Sequence, residues 1–211
     1  MTLRTSLLIQ FGLLLASIVI GLVMAARMPE VVPTHWNAQG QPDAFGSKWV
    51  NVWMGPGLMA FSMVLTIAIP WLSPKGYRVE TFGPTYAYAM SLVGGLFFLI
   101  HMAILMASGG TKFDLTQWLM VILFLFFALL GNVTGRIKQN FYMGIRTPWT
   151  LANERVWTET HRSAGLLWTV GGIVGALVTI AGLPFWWSFG AFMVMSCWPV
   201  VQSYLIYRKL A

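Results

Sequence analysis

The residues best suited to chemistry lie between Arg136 and Gly165, in the run RIKQNFYMGIRTPWTLANERVWTETHRSAG. Arg136, Lys138, Arg146, Arg155 and Arg162 place five of the chain's 13 basic residues there, although the whole sequence is only 9% charged. A guanidinium grips phosphate or carboxylate as a bidentate fork, and a neighbouring histidine can move a proton. The enzymatic arrangement on offer is therefore a lipid-phosphate site, with Arg146 and Arg162 holding phosphate and His161 as acid/base. It lacks a nucleophile. Without catalysis, Arg146 is either a fork for a lipid phosphate or an acidic partner, or a cap on backbone carbonyls of the preceding helix.

A second polar group follows the first apolar run. His35, Asn37, Asp43 and Lys48 gather donors and acceptors in a segment punctuated by Pro29, Pro33, Gly40, Pro42 and Gly46. They suit a recognition surface, or a turn held by its own side chains. A stable zinc site wants three or four ligands and this loop has two good ones, so no metal is assigned. His101 stands alone in the third apolar run, where a histidine either serves function or bonds a neighbouring helix. Cys197, the single cysteine, excludes an internal disulfide and reads as a small packed hydrophobe. No Gly-rich phosphate loop, HExxH helix, nucleophile elbow or intramembrane aspartate pair occurs. The chain is read as a non-enzyme with no catalytic residue and no cofactor.

Two ordered blocks carry a family resemblance. Asn140-Phe-Tyr-Met-Gly-Ile-Arg-Thr-Pro-Trp-Thr-Leu151, followed by Glu154-x-Val-Trp-x-x-Thr-His-Arg-x-x-Gly165, closely resembles the C-terminal signature of the SdpI family of bacterial membrane proteins. The run from Pro33 to Lys48 is similar to a short domain of unknown function that often precedes it. The resemblance implies immunity against a secreted, membrane-active peptide toxin, together with retention of a cytoplasmic transcriptional repressor at the membrane. It points to Asn140, Gly144, Arg146, Thr147, Pro148, Trp149, Trp157, His161 and Arg162 as the inner surface for a partner. The loop of His35, Asn37, Asp43 and Lys48 would meet the toxin outside. Among these, Asn140, Gly144 and Pro148 are read as shaping the turn, and Trp149 and Trp157 as interfacial anchors.

Composition sets the elements that must position these groups. At 57% hydrophobic, with 11 Trp, the chain is an all-α integral membrane protein rather than a soluble domain. Its net charge of +7 belongs to topology and anionic lipid, with no direct nucleic-acid contact. Six apolar runs are long enough to cross a bilayer: 7–26, 52–72, 84–107, 115–133, 165–183 and 186–207. The first could pass as a signal peptide, with Arg4 before it and Met24-Ala25-Ala26 as a cleavage site, but its length favours a retained span.

Arg4, Lys75, Arg78, the five central cations, Arg208 and Lys209 share one side, against Arg27, Lys48 and Lys112 on the other. The positive-inside rule then gives N-in/C-in topology in the bacterial cytoplasmic membrane, with loop 27–51 outside and segment 134–164 in the cytoplasm. Residues 1–75 are taken as an N-terminal helix hairpin, and 76–211 as an SdpI-like four-helix region. Within 134–164, Thr147-Pro148-Trp149 divides two helical pieces. The second, capped by Asn153, is expected to lie amphipathically on the membrane surface, with Trp157 and His161 on one face and an Arg155–Glu159 pair on another, until the chain dives at Gly165. Gly171 with Gly175, and Gly12 with Ala16, have the spacing of close helix contacts, and Pro199 predicts a kink. No feature fixes an oligomeric state.

Overall fold

In hydrocarbon a chain must satisfy its own amides and carbonyls, so each long apolar run becomes a helix. The computed structural model describes residues 1–210. It contains α1 (Leu3–Ala25), a hairpin of β1 (Val31–Trp36) and β2 (Pro42–Ser47), α2 (Lys48–Leu72), a 3-10 turn (Val79–Phe82), α3 (Gly83–Ser108), α4 (Leu115–Thr134), the short α5 (Pro148–Ala152), α6 (Glu154–Ile180) and α7 (Phe185–Leu210). Every α-helix except α5 is long and apolar enough to cross a membrane, making six spans. The protein is a multi-pass membrane protein with one small extramembrane hairpin added to its helices.

Polar side chains start the helices where the sequence supplies them. Ser47 Oγ caps α2, Asp114 Oδ1 caps α4, and Asn153 Oδ1 accepts from the amides of Arg155 and Val156 at the head of α6. The helices fall into two groups. In the first, α1, α2 and α3 pack together, with Val32 of the hairpin buried beside Ala25, Met28, Val52 and Leu105. In the second, α6 lies along α4, and α7 lies against α6 around Phe124, Trp168, Phe192 and Met195. The start of α1, the end of α7 and the 73–82 and 135–153 segments occupy one end, the terminal end. The strand hairpin and the 109–114 and 181–184 turns occupy the other, the hairpin end. Trp49, Trp53, Trp118, Trp186 and Trp187 are outward-facing near the hairpin end, and Trp71 near the terminal end, as amphipathic rings at membrane interfaces are.

Five expectations are corrected here. The stretch from Glu154 to Ala164 is not a separate surface helix, because α6 runs unbroken from Glu154 to Ile180 through Gly165. The piece before Thr147 is irregular rather than helical. Nor do Gly171 and Gly175 meet a neighbouring backbone: a Cβ at Gly171 would touch Met195 Sδ, and one at Gly175 the Phe124 ring. The close backbone approach of α6 to α4 is at Gly165 and Gly172, seven residues apart on one face, against Gly131 and Ala128. Around Gly12 there is open space. Cys197 also faces outward from α7 instead of packing inside.

The α4–α6 crossing therefore has no room for a side chain. A Cβ at Gly172 would lie 2.5 Å from the Phe124 carbonyl oxygen and 2.7 Å from the Ala128 amide nitrogen. Gly172→Ala should cost about 2 kcal/mol or more, as overpacking does. Gly12→Ala should stay within about 0.5 kcal/mol. Thermal stability of the detergent-solubilised variants, followed by size-exclusion, checks both, and equal midpoints would contradict this packing.

Candidate functional site

The irregular chain from Arg136 to Arg146 turns across the terminal end and buries backbone groups that no helix satisfies. Asn140 organises it. Its Oδ1 accepts from the amides of Tyr142 (2.8 Å) and Met143 (2.7 Å), while Nδ2 donates to the carbonyls of Lys138 and Met143. All four bonds of one amide side chain are thereby spent on a single turn. Gln139 Nε2 adds bonds to the Thr150 and Leu151 carbonyls.

The head of α6 supplies the other partners. Trp157 Nε1 donates to the Ile137 carbonyl at 2.8 Å. His161 stacks on Trp157 with ring centroids 4.1 Å apart, donates from Nδ1 to the Trp157 carbonyl, and accepts at Nε2 from the Ile145 amide at 3.0 Å. Those bonds define a neutral ring protonated at Nδ1. Gly144 passes directly over it. Its φ of +112° belongs to the region glycine favours, and a Cβ there would sit 2.4 Å from His161 Nε2 and 3.3 Å from Trp157 Cη2.

Thr147 and Thr150 close the turn as a capping box, and Pro148 opens α5 at its first position, where a missing amide costs nothing. Thr147 Oγ also meets Ser203 Oγ of α7 at 3.1 Å. Trp149 packs its ring on Tyr204, 5.0 Å between centroids. The turn joins both helix groups: Tyr142 Oη donates to the Leu72 carbonyl, and Ile137 and Trp157 pack with Val79, Phe82, Tyr86 and Met90.

The structure thus brings together Asn140, Gly144, Thr147, Pro148, Trp149, Trp157 and His161 as one loop lock. Trp157 and His161 are buried inside it, so Trp157 is not an interfacial anchor. His161 has both ring nitrogens engaged with backbone and is no free acid/base. Arg146 is exposed and donates to the Phe141 carbonyl of its own loop. Arg162 is exposed over Gly135 and has no hydrogen-bond partner among the described residues. The Arg155–Glu159 pair forms at 2.9 Å on the outer face, a solvated contact of about 0.3–0.5 kcal/mol.

At the hairpin end the four predicted loop residues separate. His35 Nδ1 and Asp43 Oδ1 pair across the strands at 2.5 Å, both exposed. Asn37 Oδ1 accepts from the Gln39 and Gln41 amides and shapes the turn. Lys48 is buried, donating to the carbonyls of Ala25, the last residue of α1, and Met28, and pairing with Glu30 at 2.9 Å. Among the described residues no three His, Cys, Asp or Glu side chains converge as a metal site would require.

Residues 136–203 match the SdpI/YfhL protein family, and residues 12–60 match a domain of unknown function, DUF1648. The C-terminal part of the chain is thus similar to the SdpI/YfhL family. Its relatives include Immunity protein SdpI of Bacillus subtilis (strain 168), 23% identical over 163 residues, covering 77% of this chain and 76% of that protein. No solved structure matches the chain significantly. The SdpI match covers the loop lock, α6 and most of α7, and the DUF1648 match covers most of α1, the hairpin and half of α2.

Buried polar side chains also link the spans. Gln10 joins Ser6, Ser62 and Thr66 between α1 and α2. Asn51 donates to the Pro33 carbonyl and Ser108 Oγ, and His101 bridges Ser17 Oγ to the Asn51 carbonyl. The available signal was a polar residue recurring within or beside each apolar run.

His161→Ala should expose the cost of the lock. It leaves the Ile145 amide buried without an acceptor, a loss of about 1–3 kcal/mol. Arg146→Ala should change stability by no more than about 0.5 kcal/mol. Hydrogen exchange over 140–147 should accelerate in the first variant alone; unchanged exchange there would mean the imidazole does not hold the loop.

Proposed function

We propose that this protein gives a bacterium immunity to a secreted, membrane-active peptide. The supporting observation is the match to Immunity protein SdpI, which runs through three quarters of both chains. In this reading the terminal end, with ten of the 13 cations, faces the cytoplasm, and the hairpin end meets the peptide. The unit of residues 1–75 presents the hairpin, and region 76–211 carries the lock.

The His35–Asp43 pair stands exposed on the hairpin, where an arriving peptide would find it. Arg136, Lys138, Arg146 and Arg162 point away from the protein at the terminal end, and an acidic face of a cytoplasmic repressor would dock there. These exposed groups perform recognition while the lock keeps the surface in shape. Binding in this scheme needs no chemical turnover.

Survival of a peptide-sensitive bacterium expressing the chain tests this reading. The wild type should raise survival at least tenfold against one of a panel of membrane-active peptides. His35→Ala with Asp43→Ala should lose most of that protection at equal membrane abundance, whereas Arg146→Ala should keep it. Full protection by the double variant would remove the hairpin pair from recognition. No protection by the wild type against any peptide would remove the immunity reading.

A further inference from the structure

Two apolar cavities, of about 410 and 230 Å³, adjoin along the seam where α3 of the first helix group faces α4 of the second, and they share Leu99 and Ile122. Together they form one cleft. α3 lines it with Gly95, Leu99 and Met106, and α4 with Trp118, Ile122 and Leu129, each set repeating at helical spacing on one face. The two stripes do not fill the space between them: a Cβ at Gly95 would meet nothing within 4 Å. Leu99, Met106, Trp118 and Leu129 are exposed, so the cleft opens sideways onto the bilayer. Ser91, the one hydroxyl among the described lining residues, is already bonded to Ser6 Oγ and the Ala87 carbonyl. Water there would lack the polar partners it needs, and empty space would forfeit dispersion contacts on both walls.

The dimensions select an acyl chain. From Trp118 to Leu129 the α4 wall runs about 16 Å at 1.5 Å per residue, close to the depth of one leaflet in a hydrocarbon core of roughly 30 Å. A peptide helix, about 10–12 Å across with its side chains, is too broad for a cleft whose walls are tied by the short 109–114 turn. Charge at the hairpin-end mouth supplies an independent observation. Phe113 lines that mouth, and Lys112 beside it is exposed with no ion pair among the described residues. Asp114 turns to the other side of the start of α4, where it lines a separate cavity with Gln117 and Met120. Of the other cations at this end, Lys48 is paired with Glu30, and Arg27 follows α1, which makes no contact with α4. Trp118, half exposed at the same mouth, has no hydrogen-bond partner for Nε1 among the described residues.

We infer that the α3–α4 cleft seats one anionic phospholipid of the hairpin-end leaflet. Its acyl chain lies between the two helices, its phosphate meets the Lys112 ammonium, and an ester carbonyl accepts from Trp118 Nε1. An ammonium and an indole N–H at the top of an apolar slot are the two donors such a headgroup region needs. A zwitterionic lipid brings its own cation to the phosphate and gains less from Lys112. The site goes beyond the peptide-immunity reading and does not depend on it.

Native mass spectrometry of the full chain tests this, with the protein in detergent micelles holding equal amounts of palmitoyl-oleoyl phosphatidylglycerol and phosphatidylcholine. Wild type should retain one phosphatidylglycerol in at least fivefold excess over phosphatidylcholine. Lys112→Ala should retain the two equally, while Arg27→Ala should keep the wild-type preference. Gly95→Leu and Ile122→Phe, which fill the cleft from opposite walls, should lower retention of both lipids at least fivefold. Gly95→Leu should also keep the thermal midpoint in detergent, because it enters open space and removes a glycine from a helix. Equal retention of the two lipids by the wild type, or a preference that survives Lys112→Ala, overturns the headgroup seat. Undiminished retention by the filling variants overturns the cleft. A loss of preference in Arg27→Ala as large as in Lys112→Ala would make this general surface charge and overturn the assignment to one site.

Discussion

Irregular backbone at the end of a membrane bundle has to find its hydrogen bonds inside the protein, and residues 136–147 are built around that constraint. Asn140 satisfies four groups of its own turn, His161 takes the Ile145 amide, Trp157 Nε1 takes the Ile137 carbonyl, and Thr150 Oγ takes the Ile145 carbonyl. Gly144 makes the arrangement sterically feasible, because any side chain there would occupy the imidazole's space. The segment Asn140–Leu151 together with the head of α6 is thus largely a hydrogen-bond plan for one loop. The loop in turn reaches Leu72 in one helix group and Ser203 in the other.

A single helix connects this lock to the opposite end. α6 begins at Asn153 and Glu154, holds the loop through Trp157 and His161, crosses α4 at Gly165 and Gly172, and ends where Thr179 receives Gln117 and Ser188. Its 27 residues span about 40 Å at 1.5 Å per residue. Backbone contact with α4 at Gly165 and Gly172 leaves little freedom for either helix to move independently there. A ligand at one end would therefore act on the pair as a unit, by tilt or separation from α3 and α7, rather than by bending α6.

Much of this was legible in sequence because it depends on local rules. Apolar length gave six spans, Asn153 before Glu154 marked a helix start, and Arg155 with Glu159 formed the expected pair, whereas the segment read as a loop forms a two-stranded hairpin. What was misread depends on what covers a face. The period of Trp157 and His161 is the same whether lipid or a folded loop lies against them, and only the structure shows the loop. Small residues four apart are common in α6, so spacing picked Gly171 and Gly175 over the pair seven apart that meets α4. Lys48 looked like a surface group because its acceptors, the carbonyls of Ala25 and Met28, become available only once α1 ends beside it.

The division between structural and available groups bears on where specificity can reside. Residues of the lock are buried and saturated, so altering them changes the fold before it changes recognition. A partner can read only what the fold leaves unspent. At the terminal end those are the guanidiniums of Arg146 and Arg162, and at the hairpin end the His35–Asp43 pair and the unpaired carboxylate of Asp114. None of these five residues contributes a side chain to the hydrogen bonds that bury the loop backbone, apart from Arg146 reaching Phe141 at its edge. Specificity could therefore change among chains of this fold through such exposed groups while the signature, fixed by hydrogen bonding, stays as it is.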